Sequence, residues 1–408
     1  MKCMKLLSQP RGLVHRVLVA LLGVAVVLGL VSCSEEVPPA APIDADGIVI
    51  ITNSHANVPV PRLSKTVAAM VTSALQHGLP IILVSADGTP EVLDLGDLRV
   101  TGDNDGRRRQ SLNRNLQVIA AAITALPNAD GANSYDAFAV AVGKAQSEGM
   151  TRPAFVCIAC GLDTAGPLDM TLPGALDSDV EAVVEYLSFQ DQLVSFTAFT
   201  HAEVHLVATG ATAPPQEPLS PRLQKALTHQ WAEVLKAGGA EVHIDPLPLG
   251  GPSIETEFTV PTVALGPEPV RAVIATCDPE PENFDGSSGA RFEPDRAEWV
   301  DVDAARAEFA RIVEWLQADP ARSIVISGTT SDDRTGDPNE GLTLSLARAR
   351  KAADLLISLG VNPSQITDVR GLGPHYPGRI EDREPDGTPI PELRTKNRKI
   401  IVDFTASC

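Results

Sequence analysis

Apolar positions fall into two patterns along the first half of the chain. Unbroken runs occupy residues 47–52 (GIVIIT), 80–85 (PIILVS), 154–159 (AFVCIA) and 203–208 (EVHLVA), with a shorter one at 241–244 (EVHI). Runs without strict alternation predict strands buried on both faces of a parallel sheet. Between them, residues 63–77, 109–126, 134–146, 177–187 and 219–237 place Ala, Val and Leu at three- and four-residue intervals, the spacing of amphipathic helices. Ser134 and Ser220, the latter just before Pro221, read as N-caps. Strand alternating with helix predicts an α/β fold, a doubly wound parallel sheet over residues 47–245.

A second pattern begins near residue 281. A strand start near Asn283-Phe284-Asp285 precedes a helix at 302–317 with Phe309, Ile312, Val313 and Leu316 on one stripe. A strand at 323–327 (SIVIS), a helix at 344–359 and a closing strand at 399–404 (KIIVDF) follow. The order β-α-β-α-β-β predicts an α+β domain over residues 281–408, joined to the first by a Pro-rich connector at 246–280.

The amino terminus sets the compartment. Lys2, Lys5, Arg11 and Arg16 precede an apolar run over residues 17–30, too short for a comfortable membrane span, and then Val31-Ser32-Cys33-Ser34. This is a secretory signal, and its end resembles the lipobox of bacterial lipoproteins. The resemblance implies removal of residues 1–32, a diacylglycerol on Cys33 with palmitate-type acylation, and a short tether over 33–46. Everything downstream is then exported into an oxidising compartment. The 408 residues carry 33 Lys and Arg against 52 Asp and Glu, a net charge of −19, which argues against nucleic acid as a partner.

In element order the first domain resembles a von Willebrand factor A-type, Rossmann-like domain. Such domains hold a divalent metal through Asp-x-Ser-x-Ser after the first strand and an Asp after the fourth. Here the segments read Thr52-Asn53-Ser54-His55-Ala56 and Cys160-Gly161, so the site reads as degenerate and no metal is expected. Residues 160–170 and 214–220 also resemble a domain found ahead of OmpA-like domains.

The second domain resembles the OmpA-like peptidoglycan-binding family. Four segments carry the likeness in order: Gly328 with Asp333-Arg334-Thr335-Gly336, Leu344-Ser345-Leu346-Ala347-Arg348-Ala349, Gly371-Leu372-Gly373-Pro374, and Asn397-Arg398-Lys399. The resemblance implies non-covalent binding of a diaminopimelate stem peptide, with Asp333 for the ammonium and Arg348 for the carboxylate. A guanidinium suits that carboxylate because its fork donates two charge-assisted hydrogen bonds. Thr335 and Gly336 complete the loop. Two extra residues after Gly328 leave Asp332 as the alternative acid, and Arg398 stands at the sheet edge in a structural or a binding role.

Other constellations have bland readings. His201, Glu203 and His205 share one face of a strand, read as a covered or solvent-facing strand rather than a metal site. Cys157 and Cys160 form a lone C-x-x-C, read as core packing or a local disulfide. Cys277 and Cys408 flank the second domain, and a bridge there would pin its two ends, among three pairings open to the four remaining mature cysteines. Arg107-Arg108-Arg109 reads as a solvated loop entering a helix. No nucleophile elbow, P-loop or dinucleotide fingerprint appears, so neither an enzyme nor a cofactor is expected. The expectation is a lipid-anchored cell-envelope protein that tethers or spaces membrane and wall. The rival is a receptor whose first domain binds a protein or sugar while the second only localises it.

Overall fold

The computed structural model describes residues 43–266, 274–275, 279–331 and 339–405. Ten strands are described: β1 (Gly47–Thr52), β2 (Ile81–Ser85), β3 (Val92–Leu93), β4 (Pro153–Ile158), β5 (Glu203–Val207), β6 (Glu241–Asp245), β7 (Glu282–Asp285), β8 (Ser323–Gly328), β9 (Ile366–Gly371) and β10 (Lys399–Thr405). The α-helices are α1 (Lys65–His77), α2 (Asp105–Ala122), α3 (Ser134–Ser147), α4 (Val180–Phe189), α5 (Pro221–Ala237), α6 (Val302–Gln317), α7 (Glu340–Ser358) and α8 (Pro391–Asn397).

The first six strands form one sheet in the order β3-β2-β1-β4-β5-β6, parallel except where β3 returns antiparallel along β2. β1 and β4 lie at its centre and are buried along their whole length, which is why their sequences are apolar without alternation. Helices cover both faces. On one, Val49, Ile51, Phe155 and Val204 pack with Phe138 of α3, Leu187 of α4 and Trp231 of α5. On the other, Ile48, Ile50, Val156 and Val207 pack with Val67 and Val71 of α1 and Ile119 of α2. The caps follow local chemistry: Ser64 and Ser220 accept from the backbone N–H groups of Val67 and Leu223, and Gly78 closes α1 in the left-handed region. One expectation is corrected. Asn133, not Ser134, caps α3, accepting from Asp136 N–H, while the buried Ser134 hydroxyl accepts from Asn53.

The second sheet has the order β7-β10-β8-β9, with β8 and β9 parallel and β10 antiparallel to both β7 and β8. Phe309, Ile312 and Leu316 of α6 and Ala349, Ala352 and Leu356 of α7 bury against Ile324, Ile326, Ile400 and Val402. The segment leading toward this sheet is laid back over the first one. Asn57 Nδ2 donates to Val260 O at 2.9 Å, Thr259 N–H to Asp130 at 2.6 Å, and Val263 N–H to Gln216 Oε1 at 2.7 Å. β3 and α8 escape the sequence reading because they are too short, two and seven residues, to show a period. Among the described residues no helix is long and apolar enough to cross a membrane.

Candidate functional site

Of the residues assigned to the wall-binding site, Arg348 and Arg398 are described. Asp332, Asp333, Thr335 and Gly336 lie outside the described residues, as do Cys33, Cys277 and Cys408. Arg348 projects from the third turn of α7 and is buried. Its Nε donates to Arg296 O at 3.0 Å and its Nη2 to Glu293 O at 3.2 Å, and its guanidinium lies 5.4 Å from the centre of the Phe292 ring. Two fork donors are thus used up by backbone carbonyls. The nearest carboxylate is Glu181 of α4, 3.7 Å from Nη2.

Glu181 belongs to a cluster of acids that the first half of the molecule presents to the second. Asp179 caps α4, accepting from Ala182 N–H, and its Oδ1 also receives Arg398 Nη1 at 2.8 Å. Arg398 Nη2 lies 3.1 Å from Glu181 and 3.6 Å from Glu185. Glu185, one turn further along α4, pairs with Arg394 at 2.5 Å and with Arg383 at 2.8 Å. Asp382, fully buried, receives Arg379 and Asn397 Nδ2, each at 2.8 Å. Asp179 N–H also donates to Thr395 Oγ1 at 2.8 Å, so the N-terminus of α4 is seated on α8. A helix N-terminus favours the carboxylates that gather there.

Electrostatics separate the two arginines. Burial acts to lower Arg398, but Asp179, Glu181 and Glu185 outweigh it and hold its pKa above the ordinary value. Burial lowers Arg348; Glu181 offsets this only partly, and the nearby charge of Arg398 adds to the depression. Arg348 is therefore a desolvated cation with less compensation than its neighbour. Beside both runs a cavity of about 30 Å³, lined by Glu181, His229, Phe292, Arg348 and Arg398 among others. That is space for about one water, far short of an amino-acid head group. Sequence reasoning missed Asp179, Glu181 and Glu185. The one local signal was an N-cap aspartate with acids in the following turns, which says nothing about a partner 219 positions away.

The loop after β1 is closed. Asn53, Ser54 and His55 are buried, and Asn53 Oδ1, Ser54 Oγ and His55 Nε2 have no hydrogen-bond partner. Asp163, fully buried, accepts from Tyr135 N–H at 2.8 Å at the start of α3, and burial pushes its pKa up to about 6. Cys157 and Cys160 are free, buried thiols, both raised by burial, Cys160 to about 12. Buried, protonated thiols at Cys157 and Cys160 do not fit a hard dication, which needs several charged or carbonyl oxygens. At the other end of the sheet, His201, Glu203 and His205 lie together as the period of two requires, joined by Glu241 and His243 from β6.

Comparison with known proteins locates the likeness in the second half of the chain. Residues 291–386 match the OmpA family. Similar solved structures include the periplasmic domain of Helicobacter pylori MotB, 21% identical over 31% of this chain and 83% of that one, with a TM-score of 0.25. The OmpA-like domain of FopA1 from Francisella tularensis subsp. tularensis SCHU S4 is 18% identical over 31% of this chain and 71% of that one, with a TM-score of 0.23. The peptidoglycan-associated lipoprotein of Burkholderia pseudomallei is 22% identical over 28% and 86%, with a TM-score of 0.23. No curated protein sequence matches the chain. The C-terminal part of the protein thus contains an OmpA-like domain, matched over residues 291–386, the stretch that carries α6, β8, α7 and β9.

Proposed function

We propose that the protein is a non-enzymatic, lipid-anchored component of the cell envelope that binds peptidoglycan non-covalently and so tethers or spaces membrane and wall. Cys33 carries the lipid, the first sheet is a von Willebrand A-like domain without its metal, and the OmpA-like domain carries the wall contact. Two weak attachments on one chain reinforce each other by raising effective concentration. The observation that carries this reading is the OmpA family match over residues 291–386, a stretch that includes α7 with Arg348, the residue to which this reading gives the ligand's carboxylate.

In this reading Glu181 occupies the place of the ligand's carboxylate. A diaminopimelate head would have to displace it, and the gain is a closer, charge-assisted hydrogen bond for a guanidinium now facing a carboxylate at 3.7 Å. Binding is then a competition between an internal carboxylate and an external one.

Sedimentation of the full chain with purified diaminopimelate-type peptidoglycan tests this. Co-pelleting is expected, lost in Asp333→Ala and in Arg348→Lys, and increased in Glu181→Gln, with folding checked by circular dichroism. Wild-type protein that stays in the supernatant together with Glu181→Gln would remove the wall contact and leave the receptor reading in its place.

A further inference from the structure

A second charged cluster has no part in the wall contact. β5 and β6 run parallel in a register that pairs Glu203 with Glu241, His205 with His243 and Val207 with Asp245. The period of two puts Glu203 and His205 on one face and their partners beside them. The His205 and His243 rings stack at 4.9 Å between centroids and 24° between planes. Glu203 and Glu241 face each other as like charges, an arrangement that costs stability unless something positive lies between. His201 supplies part of that, its Nε2 lying 3.2 Å from Glu203 Oε1 and 3.8 Å from Glu241 Oε2.

The other end of the ladder lacks such a solution. His205 Nε2 is buried and makes no hydrogen bond, with Glu203 Oε2 at 3.5 Å. One donor atom from each of Glu203, His205 and His243 lies within 4.8 Å of the other two. Zinc bonds of 2.0–2.2 Å in a tetrahedron bring donors to about 3.4 Å, so small side-chain rotations close the site on fixed strands.

We propose that Glu203, His205 and His243 bind a transition-metal dication of the zinc class, with the fourth position left to water or an external donor. Two imidazoles and one carboxylate suit zinc and are too few oxygens for calcium or magnesium. His201 is a positioning residue: it holds Glu203 Oε1 and leaves Oε2 turned toward His205. The metal would clip the edge strand β6 to β5 and place a cation between acids that now repel.

The test is zinc titration of the full chain by calorimetry after dialysis against chelator, at pH 7.5, with excess calcium and magnesium present. One site per chain is expected, abolished in His205→Ala and in His243→Ala, and weakened about tenfold in His201→Ala. Cobalt(II) gives a second readout. Nitrogen and oxygen ligands produce visible d–d bands without the near-ultraviolet charge-transfer band that a thiolate ligand adds. Absence of a zinc site in the wild type, zinc binding that survives the His205→Ala/His243→Ala double variant, or a thiolate band would each overturn the assignment. Circular dichroism of each variant separates loss of ligands from loss of fold.

Discussion

The carboxylates around α4 and those on β5 and β6 meet different bases, and the difference separates a structural cluster from a responsive one. Asp179, Glu181 and Glu185 face arginines, which stay charged at any ordinary pH, and the cluster is buried between the two halves of the molecule. Glu203 and Glu241 face histidines on a partly exposed sheet edge, where the balance of charge depends on what binds. Burial also sets the cost of disturbance. A buried ion pair is weak evidence of net stabilisation, but removing one partner leaves the other uncompensated in a low dielectric. At a solvated edge, water takes over.

The largest effect should therefore come from Glu185→Ala, which takes a carboxylate from Arg394, Arg383 and Arg398 together. A loss of about 3–5 kcal/mol in urea unfolding is expected; a loss below about 1 kcal/mol would mean the two halves are barely coupled through α4.

Acid should act next. Burial depresses His55 and His229 to about 4 in the folded protein, below the unfolded value of 6.5. Each neutral ring contributes stability that is present above about 6.5 and is lost as pH falls toward 4, by about 1.4 kcal/mol per pH unit. Asp163 works against them. Its folded value of about 6 exceeds the unfolded 3.8, so its contribution falls as pH rises from 4 to 6. Unfolding at pH 7.5 and pH 5.0 should show a net loss at the lower pH, and His229→Gln should make the slope shallower.

Asp163→Asn removes the opposing contribution. The variant should gain about 1–3 kcal/mol at pH 7.5 and lose stability more steeply between pH 6 and 4 than the wild type. The smallest effect belongs to the ladder. Without metal, His243→Ala should change stability by no more than about 0.5 kcal/mol; with zinc, the wild type alone should melt higher.

Much of the fold was legible in the chain because the signals are local. β1, β2, β4 and β5 announce themselves as continuous aliphatic runs, and α6 fills the 302–317 stripe with both ends where the period places them. The ladder was half legible: the period of two put His201, Glu203 and His205 together, but His243 joins only through the β5–β6 register. The sequence likewise placed Arg348 on a helix and could not show what the guanidinium would meet.

By itself, then, the amino-acid order determined the strands, the helices, the apolar faces that make two sheets with their cores, and the types of charged groups available. These depend on neighbours within a few residues, where periodicity and capping operate. Tertiary structure alone decided which charges pair. Asp179 and Arg398 are 219 positions apart, and Glu185 and Arg383 are 198 apart. Only the packing of α4 against the OmpA-like domain strips water from these groups, and desolvation is what turns unremarkable acids and arginines into a buried network and leaves Arg348 with less charge compensation than Arg398.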